Sequence, residues 1–381
     1  MTVPLPPPAT RAAPGWYRDP WGASPWRWWD GSRWTAHVAA PRAAHKPRLP
    51  SWLSVPVVAG ALLTVPLVVY LVLSQPVSVA LGLVPLAIVL PVLSWLDRVE
   101  PEPLTSRLHA VLWGAVVAGT ISAIVNGITA ATAGETAAAV VSAPLIEEAT
   151  KGLGIVWALR RHEIDGIMDG VVYAGWVALG FAVVEDFTYF AGAASSGILV
   201  EVFVVRALLT PFAHPLFTAW IGLAIGIAVA RRRSVAVNAV WGYALAVGSH
   251  AAWNGSLSYA DATGDAATLA IAAACFVGLF VAAVVTVVVI RRSEQRDFLT
   301  AVPMLAQRYG VPQHEAQVFG YWRSLLLARR RLPRGQRSDF DAVHAALARL
   351  ALLHARPGPV DLADELRLVD QLQRARASTG A

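Results

Sequence analysis

Two adjacent acidic residues within an apolar stretch are the feature of this sequence best suited to chemistry. Segment 137–159 places Glu147, Glu148 and Lys151 between apolar flanks that are together long enough to cross a bilayer. A charge at the centre of a bilayer costs about 2.5–3.5 kcal/mol on insertion scales. Adjacent helical residues point about 100° apart, so one packing contact cannot satisfy both glutamates. The pair therefore predicts a buried polar site.

Other apolar segments supply partners for this pair. Lys151 is three and four residues from the two glutamates, so it can pair with a carboxylate on the same helical face. Residues of comparable predicted depth on other segments are Glu185, Asp186, Arg206, His214, His250 and Asn254. We expect Arg206 to pair with Glu185, and Asn254 to orient His250 or bind the same ligand. Asp169 and Asp186, taken singly, are more typical of packing or interfacial groups.

These residue types fit the hydrolysis of a peptide bond. That reaction needs an activated water, a group that stabilises the oxyanion, and an acid for the leaving amine. A catalytic zinc ion uses three protein ligands and one open position, which His214, His250 and either Glu148 or Glu185 could provide. The sequence contains no HExxH motif, the signature of many soluble zinc proteases.

Composition indicates an integral membrane protein. Hydrophobic residues make up 56% of the 381 residues and charged residues 15%, whereas soluble domains contain about 25% charged residues. A single cysteine excludes an intrachain disulfide. The net charge of +6 does not indicate nucleic acid binding, because basic residues commonly mark the cytoplasmic loops of membrane proteins.

Hydropathy predicts an all-α, polytopic membrane bundle of about eight spans. The loops after every second span contain arginines, whereas loops 74–76, 131–136, 192–201 and 259–266 contain no Lys or Arg. The positive-inside rule then places both termini in the cytoplasm. The predicted spans are 52–73, 77–96, 108–130, 137–159, 167–191, 202–229, 236–258 and 267–290.

The two ends of the chain have their own character. Residues 1–14 are predicted to be disordered, 15–38 to form a miniature Trp-rich β module with a turn at Asp30-Gly31, and 39–51 to be a basic linker. Residues 52–292 form the predicted membrane domain, and 293–381 a cytoplasmic helical tail without catalytic groups. Apolar stripes in that tail are Phe340, Val343, Leu347, Leu350 and Ala351, then Leu362, Leu366 and Val369.

Three motifs in one order resemble those of the PrsW family of bacterial intramembrane proteases. They are Glu147-Glu148-Ala-Thr-Lys151 (EExxK), Phe181-Ala-Val-Val-Glu185 (FxxxE) and His250-Ala-Ala-Trp-Asn254 (HxxxN). Asp169-Gly170 and the segment from Asp97 to Pro103 also fit, so the resemblance covers residues 90–260. Asp186 departs from the asparagine usual after the FxxxE glutamate. The family is related to the CAAX-type membrane endopeptidases. The Trp-rich segment resembles a short module of unknown function.

The resemblance implies an intramembrane endopeptidase of a bacterial plasma membrane that cleaves single-pass membrane proteins such as anti-sigma factors. Glu147 or Glu148 would activate water, and His250 and Glu185 would complete the site. Lys151, Asn254 and Arg206 would support these groups, and His214, His250 and Glu185 would bind a zinc ion if one is used. A proton-coupled transporter or a sensor scaffold is the alternative, since intramembrane acids and histidines also build proton relays. The sequence shows no convincing internal repeat of the kind that transporters carry.

The alternation of Arg-bearing loops generates a prediction about topology. Reporter domains fused to the N-terminus and after Arg292 should both be active on the cytoplasmic side, because an even number of spans separates them. The measurement is a pair of reporters, one active only in the cytoplasm and one only outside it. Termini on opposite sides of the membrane would show that one span is miscounted.

Overall fold

The fold comes from a computed structural model that describes residues 15–22, 26–29, 31–39, 54–97, 102–309, 318, 321–355 and 362–379. The predicted disordered segment 1–14, Asp30 and residues 40–51 of the predicted linker lie outside this range. The chain forms two compact units. One contains residues 54–97 and 102–290, and the other contains the described residues of 15–39 together with those of 291–379.

The larger unit consists of long helices. Among the described helices, six are long and apolar enough to cross a membrane: α1 (Val55–Ser74), α2 (Pro76–Leu96), α3 (Leu104–Ala133), α5 (Ile167–Ser196), α6 (Leu199–Ala230) and α8 (Ala266–Tyr309). Two further helices of similar length, α4 (135–160) and α7 (Val235–Thr263), carry polar groups along their length. The mostly helical prediction is thus confirmed. The span predicted at 202–229 is interrupted by a turn at 210–212.

Three stretches of these helices are π-helical, with hydrogen bonds from residue i+5 to residue i. They are Trp113–Ala118 in α3, Ala138–Ser142 in α4 and Val204–Leu209 in α6. In α4 and α6 a proline follows two residues later, at Pro144 and Pro211. Proline has no N–H, so a carbonyl of the preceding turn lacks its usual donor. The irregular backbone of α4 and α6 therefore follows from the sequence, and it frees carbonyls near the polar residues.

Close contact between α5 and α6 depends on glycine. A Cβ atom added at Gly170 would overlap the carbonyl oxygen of Gly222, and one added at Gly222 would overlap the carbonyl oxygen of Gly170. Gly226 likewise faces the backbone of Ile167. Small residues at such positions let helix backbones approach closely. α5 is the most buried of the six apolar helices, so this contact sets the depth and rotation of the polar groups on both helices.

The smaller unit contains the predicted aromatic sheet. Its described strands are β1 (Gly15–Arg18), β2 (Trp26–Trp29) and β3 (Trp34–Ala39), paired antiparallel in the order β1-β2-β3. Arg27 on the central strand donates to Asp19 Oδ1 at 2.9 Å and to the Thr35 carbonyl at 2.9 Å. Trp29 and Trp34 pack edge to face, with centroids 5.3 Å apart. Aromatic pairs and a partly buried ion pair thus help to hold a sheet of very few residues together.

The tail also forms helices, as predicted: α9 (Trp322–Arg331), α10 (Arg337–Ala355) and α11 (Leu362–Thr379). The stripes of α10 and α11 pack together through buried leucines such as Leu347 and Leu366. Trp26 of β2 belongs to the same hydrophobic cluster and is buried. The Trp-rich module and the tail, which the sequence presents as separate domains, therefore share one core.

The glycine contact between α5 and α6 generates a stability prediction. Gly170→Val should sharply reduce the yield of folded, monodisperse protein, because its side chain would meet backbone that cannot move aside cheaply. Gly248→Val on α7 is the matched control, since no atom lies within 4 Å of a Cβ there. The measurement is size-exclusion chromatography of both variants in detergent. Equal yields would show that the close backbone contact is not required.

Candidate functional site

Lys151 lies at the centre of a buried polar cluster formed by α4, α5, α6 and α7. Its ammonium donates to Glu148 Oε1 at 2.9 Å, to His214 Nδ1 at 3.1 Å and to Glu147 Oε2 at 3.3 Å. It also lies 3.8 Å from the ring centroid of Phe181. A lysine ammonium has three N–H donors, and all three are used. The structure therefore joins Lys151 to both glutamates, whereas helical spacing alone indicated one.

Glu148 is the more deeply buried of the two glutamates. Its side chain is fully buried and accepts from Lys151, from Thr218 Oγ1 at 2.8 Å, and from His250 Nδ1 at 3.2 Å. A carboxylate only accepts hydrogen bonds, so the His250 proton is on Nδ1 and the Nε2 lone pair is left available. Glu148 thus connects three helices and fixes the orientation of the His250 ring.

Glu147 faces a different environment. Asn126 Nδ2 on α3 donates to Glu147 Oε1 at 3.2 Å, and Ser142 Oγ donates to Asn126 Oδ1 at 2.7 Å. The sequence analysis did not identify Asn126, although an amide within an apolar span was a signal of this kind. Glu147 also lines a cavity, which makes it the glutamate of the pair that can reach a ligand.

A second ionic group adjoins the first. Glu185 Oε2 lies 2.7 Å from His214 Nε2 and also pairs with Arg206. Arg206 donates to Asp186 Oδ1 at 2.8 Å, and its guanidinium lies 3.9 Å from the ring centroid of Tyr189. The expected pair of Arg206 and Glu185 is present. Asp186, the departure from the family pattern, is the second carboxylate on Arg206.

Asn254 does not contact His250, although the two are four residues apart. Its Nδ2 donates to the carbonyl of Ala139 at 2.8 Å, within the π-helical turn of α4. In a π-helix the N–H of residue i+5 donates to the carbonyl of residue i, so the donor to the Ala139 carbonyl would be residue 144, which is a proline. Asn254 thus supplies the hydrogen bond that Pro144 cannot. The His250 ring packs instead on Phe217, with centroids 4.9 Å apart.

A cavity of about 740 Å³ lies beside these groups, between α4, α5, α6, α7 and α8. Glu147, Glu185, His214 and His250 are in its wall, whereas Glu148, which the sequence also offered as a zinc ligand, does not line it. The lining extends to Glu201, Asp261 and Gly264, at the connections before α6 and after α7. The cavity therefore reaches one end of the helical bundle.

Among the described residues, one group could hold a metal ion: Glu147, His214 and His250, whose ligand atoms lie within 4.8 Å of one another. The other nitrogen of each imidazole has a carboxylate partner, Glu148 or Glu185, as is usual for histidines that bind metals. These donors suit a divalent metal. Glu185, which the sequence analysis placed among the ligands, is the partner of His214 instead. The Lys151 contact with His214 Nδ1 would have to give way to a metal at that atom.

Other acidic residues highlighted in the sequence have structural partners elsewhere. Asp169 Oδ2 accepts from the backbone N–H groups of Asp165 at 3.0 Å and Gly166 at 2.6 Å, and so caps α5. Glu102 accepts from Tyr173 Oη at 3.0 Å, and its own N–H donates to Asp97 Oδ1 at 3.1 Å. These groups hold the start of α3 and α5 rather than face the cavity.

Comparison with known proteins agrees with this arrangement. Residues 102–291 match the model of the PrsW family intramembrane metalloproteases, and residues 14–47 match a protein of unknown function (DUF2510). Over 146 residues the chain is 36% identical to Protease PrsW of Geobacillus kaustophilus (strain HTA426), covering 36% of this chain and 61% of that relative. No solved structure matches the chain. Through residues 102–291 the chain belongs to the PrsW family of intramembrane metalloproteases, with a domain of unknown function before it.

Proposed function

We propose that this protein is an endopeptidase that hydrolyses a peptide bond of single-pass membrane proteins within or beside their span. The observation that carries the proposal is that Glu147 and His250 line one cavity while Glu148 and Lys151 hold them from behind. The two outward-facing groups can accept and donate protons. The two buried groups keep them in position.

The membrane arrangement follows from the same cluster. We propose that α4 and α7 cross the membrane together with the six more apolar helices, which gives eight spans. The charges of α4 are then turned towards partners on α5, α6 and α7 and away from lipid, where they would be costly. With arginines in every second loop, both termini lie in the cytoplasm. The cavity then reaches the opposite, extracytoplasmic side, because Glu201 and Asp261 lie in segments 192–201 and 259–266, which contain no Lys or Arg.

Glu147 acts as the base in this mechanism. A water molecule in the cavity gives a proton to the Glu147 carboxylate as its oxygen attacks the carbonyl carbon of the substrate. Asn126 and Lys151 hold the carboxylate in place through their hydrogen bonds. Of the two glutamates, Glu148 is excluded from this step because its oxygens are held by Lys151, Thr218 and His250 in the protein interior.

His250 assists when the carbon–nitrogen bond breaks. Its Nδ1–H donates to Glu148, so a proton gained at Nε2 makes an imidazolium that the carboxylate stabilises, as in other carboxylate–histidine pairs. The proton that Glu147 took from the water reaches His250 Nε2 and is then transferred to the leaving amine, which leaves Glu147 a carboxylate and His250 neutral as the acid product departs. Glu147 and His250 thus move a proton from the water to the amine without leaving a charge unpartnered.

A divalent metal fits the same donors. In a metal-bound site Glu147, His214 and His250 would be the ligands, and the metal would supply a Lewis acid that polarises the scissile carbonyl and activates water in place of the proton transfers at Glu147 and His250 Nε2. Four carboxylates, Glu147, Glu148, Glu185 and Asp186, face two basic side chains, Lys151 and Arg206. This excess of acidic groups suits an additional cation. We propose zinc, since two imidazoles and one carboxylate are a common zinc set.

The proposed base generates a prediction about activity. Glu147→Gln should lower kcat by about 10²–10⁴-fold, the usual contribution of a general base, because the amide keeps the shape but cannot take a proton. His250→Gln should cause a loss of similar size. The measurement is cleavage of a panel of single-pass membrane proteins by the purified full-length protein, with products identified by mass spectrometry.

A matched control is Glu163→Gln, because this carboxylate contacts Ser106 and Arg161 in a connection outside the cavity. It should cleave at the normal rate. Folding of each variant is checked by its chromatographic profile. If a well-folded Glu147→Gln protein cleaves normally, then Glu147 is not the base. A panel that the unmodified protein leaves uncut, while transporting protons across vesicles, would favour the transporter alternative.

The donor group generates a prediction about metal. Removing bound metal from the purified protein with a chelator should abolish cleavage, and adding Zn²⁺ should restore it. His214→Ala should lower the zinc content measured by elemental analysis, because it removes one of three ligands. Cleavage that continues after complete chelation would assign the activation of water to Glu147 without a metal.

A further inference from the structure

A second cavity lies on the other side of Glu147. It has a volume of about 580 Å³ and is bounded by α1, α3, α4 and α5. This volume is within the range of about 300–1,000 Å³ that is typical of ligand pockets. The two cavities share part of their walls: Ala139, Ala143, Glu147, Glu185 and Tyr189. The carboxylate that we propose as the base therefore stands at the boundary between two spaces.

The shared wall suits a polypeptide that passes from one cavity to the other. Ala139 and Ala143 lie one helical turn apart on α4, and their methyl side chains leave room beside Glu147. An endopeptidase holds its substrate on both sides of the bond that it cuts. The first cavity, which His250 and His214 line, is the space for one side of such a chain. The second cavity is continuous with the same carboxylate and is the available space for the other side.

The two cavities differ in chemistry. The first contains charged residues such as Arg206, Glu201 and Asp261. Apart from the shared Glu147 and Glu185, the second contains one charged residue, Glu135, and one amide, Asn126. The rest of its lining is mainly aliphatic side chains and hydroxyl groups that already have partners, such as Thr64 and Thr120, whose oxygens are 2.6 Å apart. A pocket of this kind favours apolar side chains, because a charged group would lose its hydration without gaining a partner.

We propose that the second cavity binds the substrate polypeptide on one side of the scissile bond and accepts apolar side chains there. This inference rests on the proposed endopeptidase function. It adds a subsite formed by α1 and α3, away from the motifs, that selects which sequences are cut.

Gly127 on α3 offers a direct test. It lines the second cavity, and a Cβ atom added there meets no atom within 4 Å, so Gly127→Leu should fill the pocket without disturbing the fold. Gly192→Leu on α5 is the matched control, because it also has open space but lines neither cavity. The full-length proteins are reconstituted in liposomes with a library of single-pass polypeptides randomised across the span. The products are identified by mass spectrometry.

Gly127→Leu should disfavour large apolar residues on one side of the cut by about tenfold or more, as expected for a change of this size in a hydrophobic pocket. Preferences on the other side should stay unchanged, and Gly192→Leu should behave like the unmodified protein. Identical residue preferences for Gly127→Leu and the unmodified protein would overturn the inference while leaving the endopeptidase function intact.

Disulfide crosslinking provides a reading that does not depend on cleavage. In a Cys275→Ser, Glu147→Gln protein, Gly127→Cys should crosslink to single cysteines placed along a probe polypeptide from the library, and Gly192→Cys should not. Crosslinking at position 127 without cleavage by the unmodified protein would support the subsite and overturn the endopeptidase function. If position 127 crosslinks no better than position 192, then the second cavity does not bind the polypeptide.

Discussion

The larger, helical unit depends on one buried ammonium group. Lys151 neutralises part of the charge of Glu147 and Glu148 and also donates a hydrogen bond to His214. It therefore joins α4 to α6, and it compensates charged groups that would be costly to place in lipid. Removing one partner from a buried ionic network leaves the others without compensation, which costs more than a surface ion pair contributes. The Lys151 cluster therefore holds the helices and the reactive groups in place together.

Depth along each helix could be predicted from the sequence, whereas rotation could not. Spacing of three and four residues indicated the Lys151 contact, and the positions of Glu185, Arg206, His214 and His250 indicated a common level. Which glutamate faces the cavity depends on how α4 turns against its neighbours. That rotation is set by contacts such as that of Gly154 with the ring of Trp113 on α3, between residues far apart in the chain.

Asn254 shows the same limit in another form. Its spacing from His250 predicted a shared role, but a carbonyl released near Pro144 on a different helix is its partner. The sequence contained both residues, yet nothing in local spacing connects them. The shared core of Trp26 with the leucines of the tail is a second example. The apolar stripes of the tail helices were recognisable from their helical spacing, whereas their association with the Trp-rich sheet was not.

The length of chain between the charges and their partners has a consequence for synthesis. Thr218 and His250 are 70 and 102 residues after Glu148, so α4 leaves the ribosome well before it can be neutralised in full. At about 5–20 residues per second, the wait for His250 lasts about 5–20 s. During that interval α4 must be kept from lipid by the insertion machinery or by earlier helices. The bundle should therefore assemble late and as a group, once α7 has emerged.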